Sequence, residues 1–77
     1  MNRYIEVVGD ASGWLQDFDK LSDAYEFVKQ LKRTDKHYGI QDIYTYWLCF
    51  EADKTIVKQE IKIIKRNGKY TSVLIGD

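Results

Sequence analysis

The spacing of apolar residues changes at Gly39, and this change limits the fold more than any other feature. Before Gly39, apolar side chains recur at intervals of three and four residues, which is typical of the buried stripe of a helix. These side chains are Leu21, Ala24, Tyr25, Val28 and Leu31. After Gly39 the period becomes two within Asp42–Glu51, which indicates a strand. The pattern predicts one helix followed by strands.

The predicted helix has clear signals at both ends. Asp19 or Ser22 can cap its first amides, and the cations near its end suit the negative end of the helix dipole. Gly39 supplies the left-handed residue that commonly ends a helix. Before the helix, "RYIEVV" and "WLQDF" predict two strands, joined by a turn with two glycines.

The segment Thr55–Arg66 fits two structures. Its six β-branched residues favour a strand, whereas Val57, Ile61 and Ile64 also fit a helical stripe with Asp53 as its cap. The dipeptide Asn67–Gly68, followed by "KYTSVLI", is a strong hairpin signal. We therefore expect a strand, paired with the strand that follows it.

Strand registers follow from which pairings put apolar residues on one face. A turn at Asp53–Lys54 places Phe50 opposite Val57 and Tyr46 opposite Ile61. For the last hairpin, a three-residue turn over 66–68 places Val73 beside Ile61, whereas a two-residue turn sets Ser72 against Ile63. We expect the three-residue turn, because its pairs are more apolar. The predicted core beneath the helix comprises Phe50, Tyr46, Ile61, Leu31 and Val28.

The opposite face of the predicted sheet mixes apolar and charged side chains, with Cys49 and Leu74 also on it. The chain could cover this face itself, or a protein, a second copy or nucleic acid could contact it. Aromatic residues ringed by polar groups are typical of protein interfaces, and pairing identical patches about a two-fold axis would bury both. We expect a homodimer or a protein partner here. The candidate partner-binding residues are Ile43, Trp47, Lys58, Lys62, Ile64 and Tyr70.

Four cations concentrate near the tip of the last hairpin: Lys62, Lys65, Arg66 and Lys69. A basic β-ribbon can enter a DNA groove, although lysines at a sheet edge more commonly prevent unwanted strand pairing. Over the whole chain, twelve basic residues balance twelve acidic ones. Nucleic acid is therefore the alternative partner rather than the first.

Composition sets the class of protein. The 77 residues predict a single domain, 1–77, and the lone cysteine excludes an intrachain disulfide and favours the reducing cytoplasm. We expect neither a membrane span nor a secretory signal. We also expect no metal or cofactor, and no enzyme, since Cys49 and His37 fall on separate predicted elements without a third group to orient the imidazole.

The run "WLQDFDKLSDAYEFVKQLKRTDKHYGIQDIY" resembles a pattern in small uncharacterised proteins of bacterial phages and mobile elements. The shared features are an aromatic residue before a capped helix, an alanine on the buried face, and a basic helix end closed by Gly-Ile. The resemblance implies a protein that binds and modulates a host protein.

Together these patterns predict an α+β domain with one helix packed on a largely antiparallel sheet of four or five strands. The predicted function is that of a non-enzymatic protein-binding module. A small nucleic-acid-binding protein that uses the outer sheet face and the basic hairpin is the alternative.

Overall fold

The computed structural model describes residues 3–76 and shows one helix packed on a five-stranded antiparallel sheet, which confirms the predicted α+β class. The elements are β1 (Arg3–Gly9), β2 (Gly13–Phe18), α1 (Leu21–Tyr38), β3 (Tyr44–Ala52), β4 (Thr55–Arg66) and β5 (Lys69–Leu74). The strand order in the sheet is β2-β1-β3-β4-β5. The helix connects the edge strand β2 to the central strand β3, with β1 between these two strands.

The hairpin of β3 and β4 has the predicted register. Phe50 lies opposite Val57 and Tyr46 lies opposite Ile61. Asp53 and Lys54 form the turn and both have positive φ, 50° and 65°, as a two-residue turn of this kind requires. Thr55–Arg66 is a strand over its whole length, so the strand prediction for this segment is confirmed.

The predicted three-residue turn between β4 and β5 is wrong. Asn67 and Gly68 alone form the turn, with φ of 54° and 77°, and Ile63 lies opposite Ser72. An Asn-Gly pair tolerates two successive left-handed residues, and the resulting turn matches the twist of the flanking strands. This local preference outweighs the more apolar side-chain pairing that the other register offers.

The helix begins and ends close to the predicted positions. Gly39 follows it with φ 71°, and its N–H donates to the carbonyl oxygens of the last turn, as predicted. Lys20 occupies the N-cap position and makes no side-chain capping bond, so the prediction of Asp19 or Ser22 as the cap is wrong. Among residues 3–76, no helix is long and apolar enough to cross a membrane.

The core lies between the helix and one face of the sheet. Its buried residues are Ile5, Val7, Ala24, Val28, Ile61 and Ile63. Tyr46 packs against this cluster, as predicted. Phe50 and Leu31 are half-buried and lie outside this cluster. Phe50 is near one end of the sheet, where its ring centroid lies 5.8 Å from the Cζ atom of Arg3. Their prediction as central core residues is therefore wrong.

Asp42 ties the β1–β2 turn to the start of β3. Its carboxylate accepts hydrogen bonds from Ala11 N–H (2.9 Å), Ser12 Oγ (2.8 Å) and Ile43 N–H (2.8 Å). These bonds hold the pKa of Asp42 below its ordinary value, the bond from Ala11 contributing most. A Cβ at Gly9 would lie 2.7 Å from Asp42 Oδ2, so glycine is needed for this close approach.

Candidate functional site

The sheet has a second face, which we call the outer face, on the side away from the helix. It carries the even-numbered residues of β1 and β4, the odd-numbered residues of β3 and β5, and Trp14 and Asp17 of β2. Within residues 3–76 no helix packs on this face, since α1 contacts the other one. The outer face is therefore a sheet surface on which a partner could dock.

A row of carboxylates with one indole crosses the outer face at a single level. Asp17 lies opposite Glu6, Glu6 opposite Trp47, and Trp47 opposite Glu60, on four neighbouring strands. Directly opposed residues on one face lie about 4.5–5.5 Å apart at Cβ. The half-buried Trp47 therefore has a carboxylate on each side, which we call the Trp47 row.

An ion pair joins this row to β4. Lys58 Nζ lies 3.0 Å from Glu6 Oε1 and reaches it across β3, although Lys58 and Glu6 belong to strands that are not neighbours. The hydrogen bond to Glu6 raises the pKa of Lys58 above its ordinary value. Lys58 was predicted as a partner-binding residue, and the structure assigns it a further role as the counter-ion of Glu6.

Cys49 belongs to the outer face yet is fully buried. Its cross-strand neighbours are Tyr4 and Lys58, and its Sγ lies 3.7 Å from the Trp47 carbonyl oxygen. Burial raises the pKa of the Cys49 thiol, which favours the unreactive protonated form. His37 is on the helix, on the other side of the sheet, so the two residues do not form a nucleophile–base pair.

Apolar side chains extend the outer face beyond the Trp47 row. Trp14 is 59% exposed, Ile56 49% and Val73 47%. Ile64 is half-buried on the same face, and Ile43, directly before β3, is exposed. Trp47, Lys62 and Ile64 therefore occupy the side of the sheet on which the sequence placed them, whereas Ile43 precedes the paired residues of β3.

Tyr70 is not part of the outer face, so the prediction that placed it on that face is wrong. Its ring packs edge-on against Tyr25 with centroids 5.5 Å apart, and its hydroxyl donates to Glu26 Oε2 at 3.0 Å. Leu74 is on the same side, opposite Ile61. Both errors follow from the length of the Asn67–Gly68 turn, since a change of one residue moves every side chain of β5 to the other face.

The four cations of the last hairpin divide between the two sides of the sheet. Lys65 is on the helix side, 3.8 Å from Glu26 Oε2 and over the ring of Tyr70. Lys62, Arg66 and Lys69 are on the outer face, where Arg66 and Lys69 are directly opposed. A groove of about 400 Å³ at this tip is lined by Ile64, Arg66, Asn67, Lys69 and Thr71.

Several residues of the outer face do not follow from the sequence prediction. In β1 the sequence pattern could have identified them, because the outer-face residues Tyr4, Glu6 and Val8 alternate with the buried Ile5 and Val7. The position of Trp14 on the outer face could not be predicted from the sequence, because it depends on a register irregularity in β2 opposite Val7 and Val8.

No cluster of three or more histidine, cysteine or carboxylate side chains that could hold a metal ion occurs in the part of the chain from Arg3 to Gly76. Comparison of the chain with protein-family models, curated proteins and solved structures finds no significant match. The geometry of the outer face is therefore the main guide to function.

Proposed function

We propose that this protein is a non-enzymatic protein-binding module whose outer face docks on a partner with a basic and apolar surface. The observation that carries the proposal is the Trp47 row, in which Glu6 and Glu60 flank an indole on a sheet face that no helix covers within residues 3–76. An indole face attracts a cation, and carboxylates beside it supply charge-assisted hydrogen-bond acceptors. A lysine or arginine of a partner fits this arrangement.

The surroundings of the Trp47 row favour a protein over a small cation. Trp14 and Ile56 offer exposed apolar area on either side of the row, and burying such area is the main source of affinity in protein association. Exposed aromatic and aliphatic groups within a charged rim are the usual composition of interface hot spots. Lys58 neutralises Glu6, but Asp17 and Glu60 of the row still disfavour the phosphates of nucleic acid at the centre of this face.

The resemblance of Trp14–Tyr44 to small phage and mobile-element proteins supports a host protein as the partner within this proposal. The lone cysteine supports the reducing cytoplasm as the place where binding occurs. The module would then act by occupying a surface of the host protein rather than by chemistry.

Affinity capture with paired variants tests the proposal. Trp47→Lys and Ile56→Lys each place a cation on the outer face, whereas Thr34→Lys adds the same group to the exposed helix surface as a control. We expect the wild type and Thr34→Lys to retain the same protein from a lysate of the native host, with nuclease present, and both outer-face variants to lose it. Thermal unfolding followed by circular dichroism shows that each bait is folded. Retention by both folded outer-face variants would refute the proposal.

The groove at the hairpin tip favours one alternative, a small nucleic-acid-binding protein. Arg66 and Lys69 are directly opposed, and like charges in that position repel each other. A phosphate between them would relieve this repulsion, and Ile64 and Thr71 supply contact area for a sugar or base. Binding of an oligonucleotide that weakens steeply with salt, and that is lost in Arg66→Ala but not in Lys65→Ala, would support the alternative. Lys65 is the matched control because it is on the helix side.

A further inference from the structure

Strand β5 forms one edge of the sheet. Within residues 3–76 no strand pairs with the backbone edge of β5 that faces away from β4. Its second half is rich in exposed apolar groups, with Leu74 62% exposed and Val73 and Ile75 each 47% exposed. A regular and apolar edge strand is a template for pairing with another strand. The first half of β5 contributes Lys69 and Thr71 to the groove at the hairpin tip, whereas these exposed apolar groups belong to its other end.

The length of the β4–β5 turn determines which backbone groups of β5 are free. A two-residue turn is closed by a pair of residues that exchange both hydrogen bonds, here Arg66 and Lys69, and such pairs then alternate along an antiparallel ladder. The donation from Ile75 N–H to the Glu60 carbonyl oxygen, at 3.0 Å, continues this alternation. Tyr70, Ser72 and Leu74 therefore point their N–H and C=O groups away from β4, toward the open edge.

The two edges of the sheet differ in how they are protected. β2, at the other edge, is as long as β5 but has a register irregularity in its pairing with β1 and carries Asp17 within the strand. Irregularities and charges of this kind hinder edge pairing. β5 pairs with β4 without a register shift, and its only charged residue, Lys69, is at the turn end.

We propose that β5 pairs with β5 of a second copy, antiparallel about a two-fold axis at Ser72, so that the two sheets form one continuous sheet. In this register Ser72 lies opposite Ser72 of the second copy, and Tyr70 lies opposite its Leu74. Tyr70, Ser72 and Leu74 of each strand each donate one backbone hydrogen bond to the second copy and accept one from it. All the N–H and C=O groups of these residues that point toward the open edge are then paired. A shift by two residues in either direction leaves at least one of these residues unpaired in each strand.

Charge and side-chain pairing both fit a second copy of this chain. The antiparallel two-fold places the two Lys69 residues at opposite ends of the paired strands, so no like charges meet. Thr71 lies opposite Val73 of the second copy, a pair of β-branched residues that suits a sheet surface. The sequence alone favours dimerisation through the outer face, whereas the free backbone groups of β5 favour the edge.

Edge pairing also has a consequence for binding. A two-fold axis perpendicular to the sheet keeps both helices on one side and both outer faces on the other. The two Trp47 rows would then face the same direction. This last consequence depends on the proposed function, because it implies bivalent contact with a partner that has repeated or extended basic surface.

Two variants that introduce opposite charges at Ser72 test the two-fold axis directly. Ser72 is exposed and its side chain makes no hydrogen bond among the described residues. We expect the wild type to be a dimer at micromolar concentration, Ser72→Lys and Ser72→Asp each to be monomers, and an equimolar mixture of the two to form a heterodimer. Thr34→Lys and Thr34→Asp, which carry the same charges on the exposed helix surface, should remain dimers.

Sedimentation and native mass spectrometry measure these states, and circular dichroism shows that each variant is folded. A monomeric wild type, or a dimer unchanged by either folded Ser72 variant, would overturn the proposal. A dimer that Trp47→Lys dissociates and Ser72→Lys does not would place the two-fold contact on the outer face instead, and would likewise overturn it. Retention of the partner protein by Trp47→Lys and Ile56→Lys, in a dimer that both Ser72 variants dissociate, would refute only the proposed function.

Discussion

Lys58 and Glu6 meet across the central strand of the sheet, with Nζ 3.0 Å from Oε1. Cys49, the direct neighbour of Lys58 on β3, is fully buried beside this ion pair although no helix covers that face among residues 3–76. The outer face thus provides part of its own cover, through long side chains rather than through another element. It leaves Trp14 and Ile56 exposed at its margins.

The thiol of Cys49 is expected to react slowly with Ellman's reagent in the native protein, because burial shields it and raises its pKa. Lys58→Ala removes the neighbouring side chain and should increase the reaction rate through easier local opening. This increase should exceed the opposing effect of losing the Lys58 charge, which lowers the pKa of the thiol. Lys62→Ala is the control, since Lys62 is on the same face of β4. Equal rates for the wild type and Lys58→Ala would show that the ion pair does not protect the thiol.

The loss in free energy of unfolding caused by a core substitution should decrease with the distance of the residue from the central cluster. Ile61 is 2% exposed and central, so Ile61→Ala should lower the free energy of unfolding by about 2–5 kcal/mol. Phe50 is half-buried and stands outside the cluster, so Phe50→Ala should cost less than about 3 kcal/mol, the lower end of the range for a buried aromatic. Urea unfolding measures both values. A greater loss for Phe50→Ala would contradict this ranking.

The two-residue turn makes a specific prediction for nuclear magnetic resonance. The α-protons of Ile63 and Ser72 should show a close cross-strand contact, since these residues are directly opposed in a pair without mutual hydrogen bonds. A contact from Ile63 to Thr71 instead would indicate the three-residue turn. Gly68→Ala should lower the free energy of unfolding by about 1 kcal/mol, because φ is 77° there.

Alkaline pH should destabilise the protein through two tyrosines. Burial raises the pKa of Tyr46 to about 12, and donation of the Tyr44 hydroxyl to the Asp35 carboxylate raises the pKa of Tyr44 to about 12. Because the unfolded chain loses these protons near pH 10.0, their contribution to stability is complete below that pH and is lost as the pH rises toward 12.

Urea unfolding below and above pH 10.0, with phenolate absorbance to follow ionisation, measures this loss. Tyr46→Phe removes one of the titrating groups and should flatten part of the pH dependence. Stability that is constant across this range, or a native Tyr46 that ionises at its ordinary pKa, would contradict the prediction.

Gly9 and Asp42 should be coupled. Gly9→Ala would bring its Cβ within 2.7 Å of Asp42 Oδ2 and should destabilise the fold. In an Asp42→Ala background the same substitution should cost less, because the closest obstructing atom is gone. A double-mutant cycle by urea unfolding measures the coupling, and additive effects would show that the two residues do not interact.

Local pattern in the sequence determined most of the elements. The three-and-four spacing before Gly39 predicted the helix, and the alternation after it predicted β3 and its register with β4. These features depend on residues near each other in the chain, so apolar spacing and turn residues are sufficient to predict them. The same patterns were sufficient to assign Trp47 and Ile64 to the outer face.

Only the tertiary structure decided which side chains of β5 share a face with the other strands, which distant residues pair across the sheet, and which strands form its edges. The side of Tyr70 depended on one residue in the length of a turn, because the side-chain period of a strand is two. The pair of Glu6 with Lys58 joins residues separated by 52 positions and depends on β1 and β4 flanking β3. Strand order also made β5 an edge. Such contacts between distant parts of the chain follow from how the strands assemble, and apolar spacing within one strand carries no information about its neighbours.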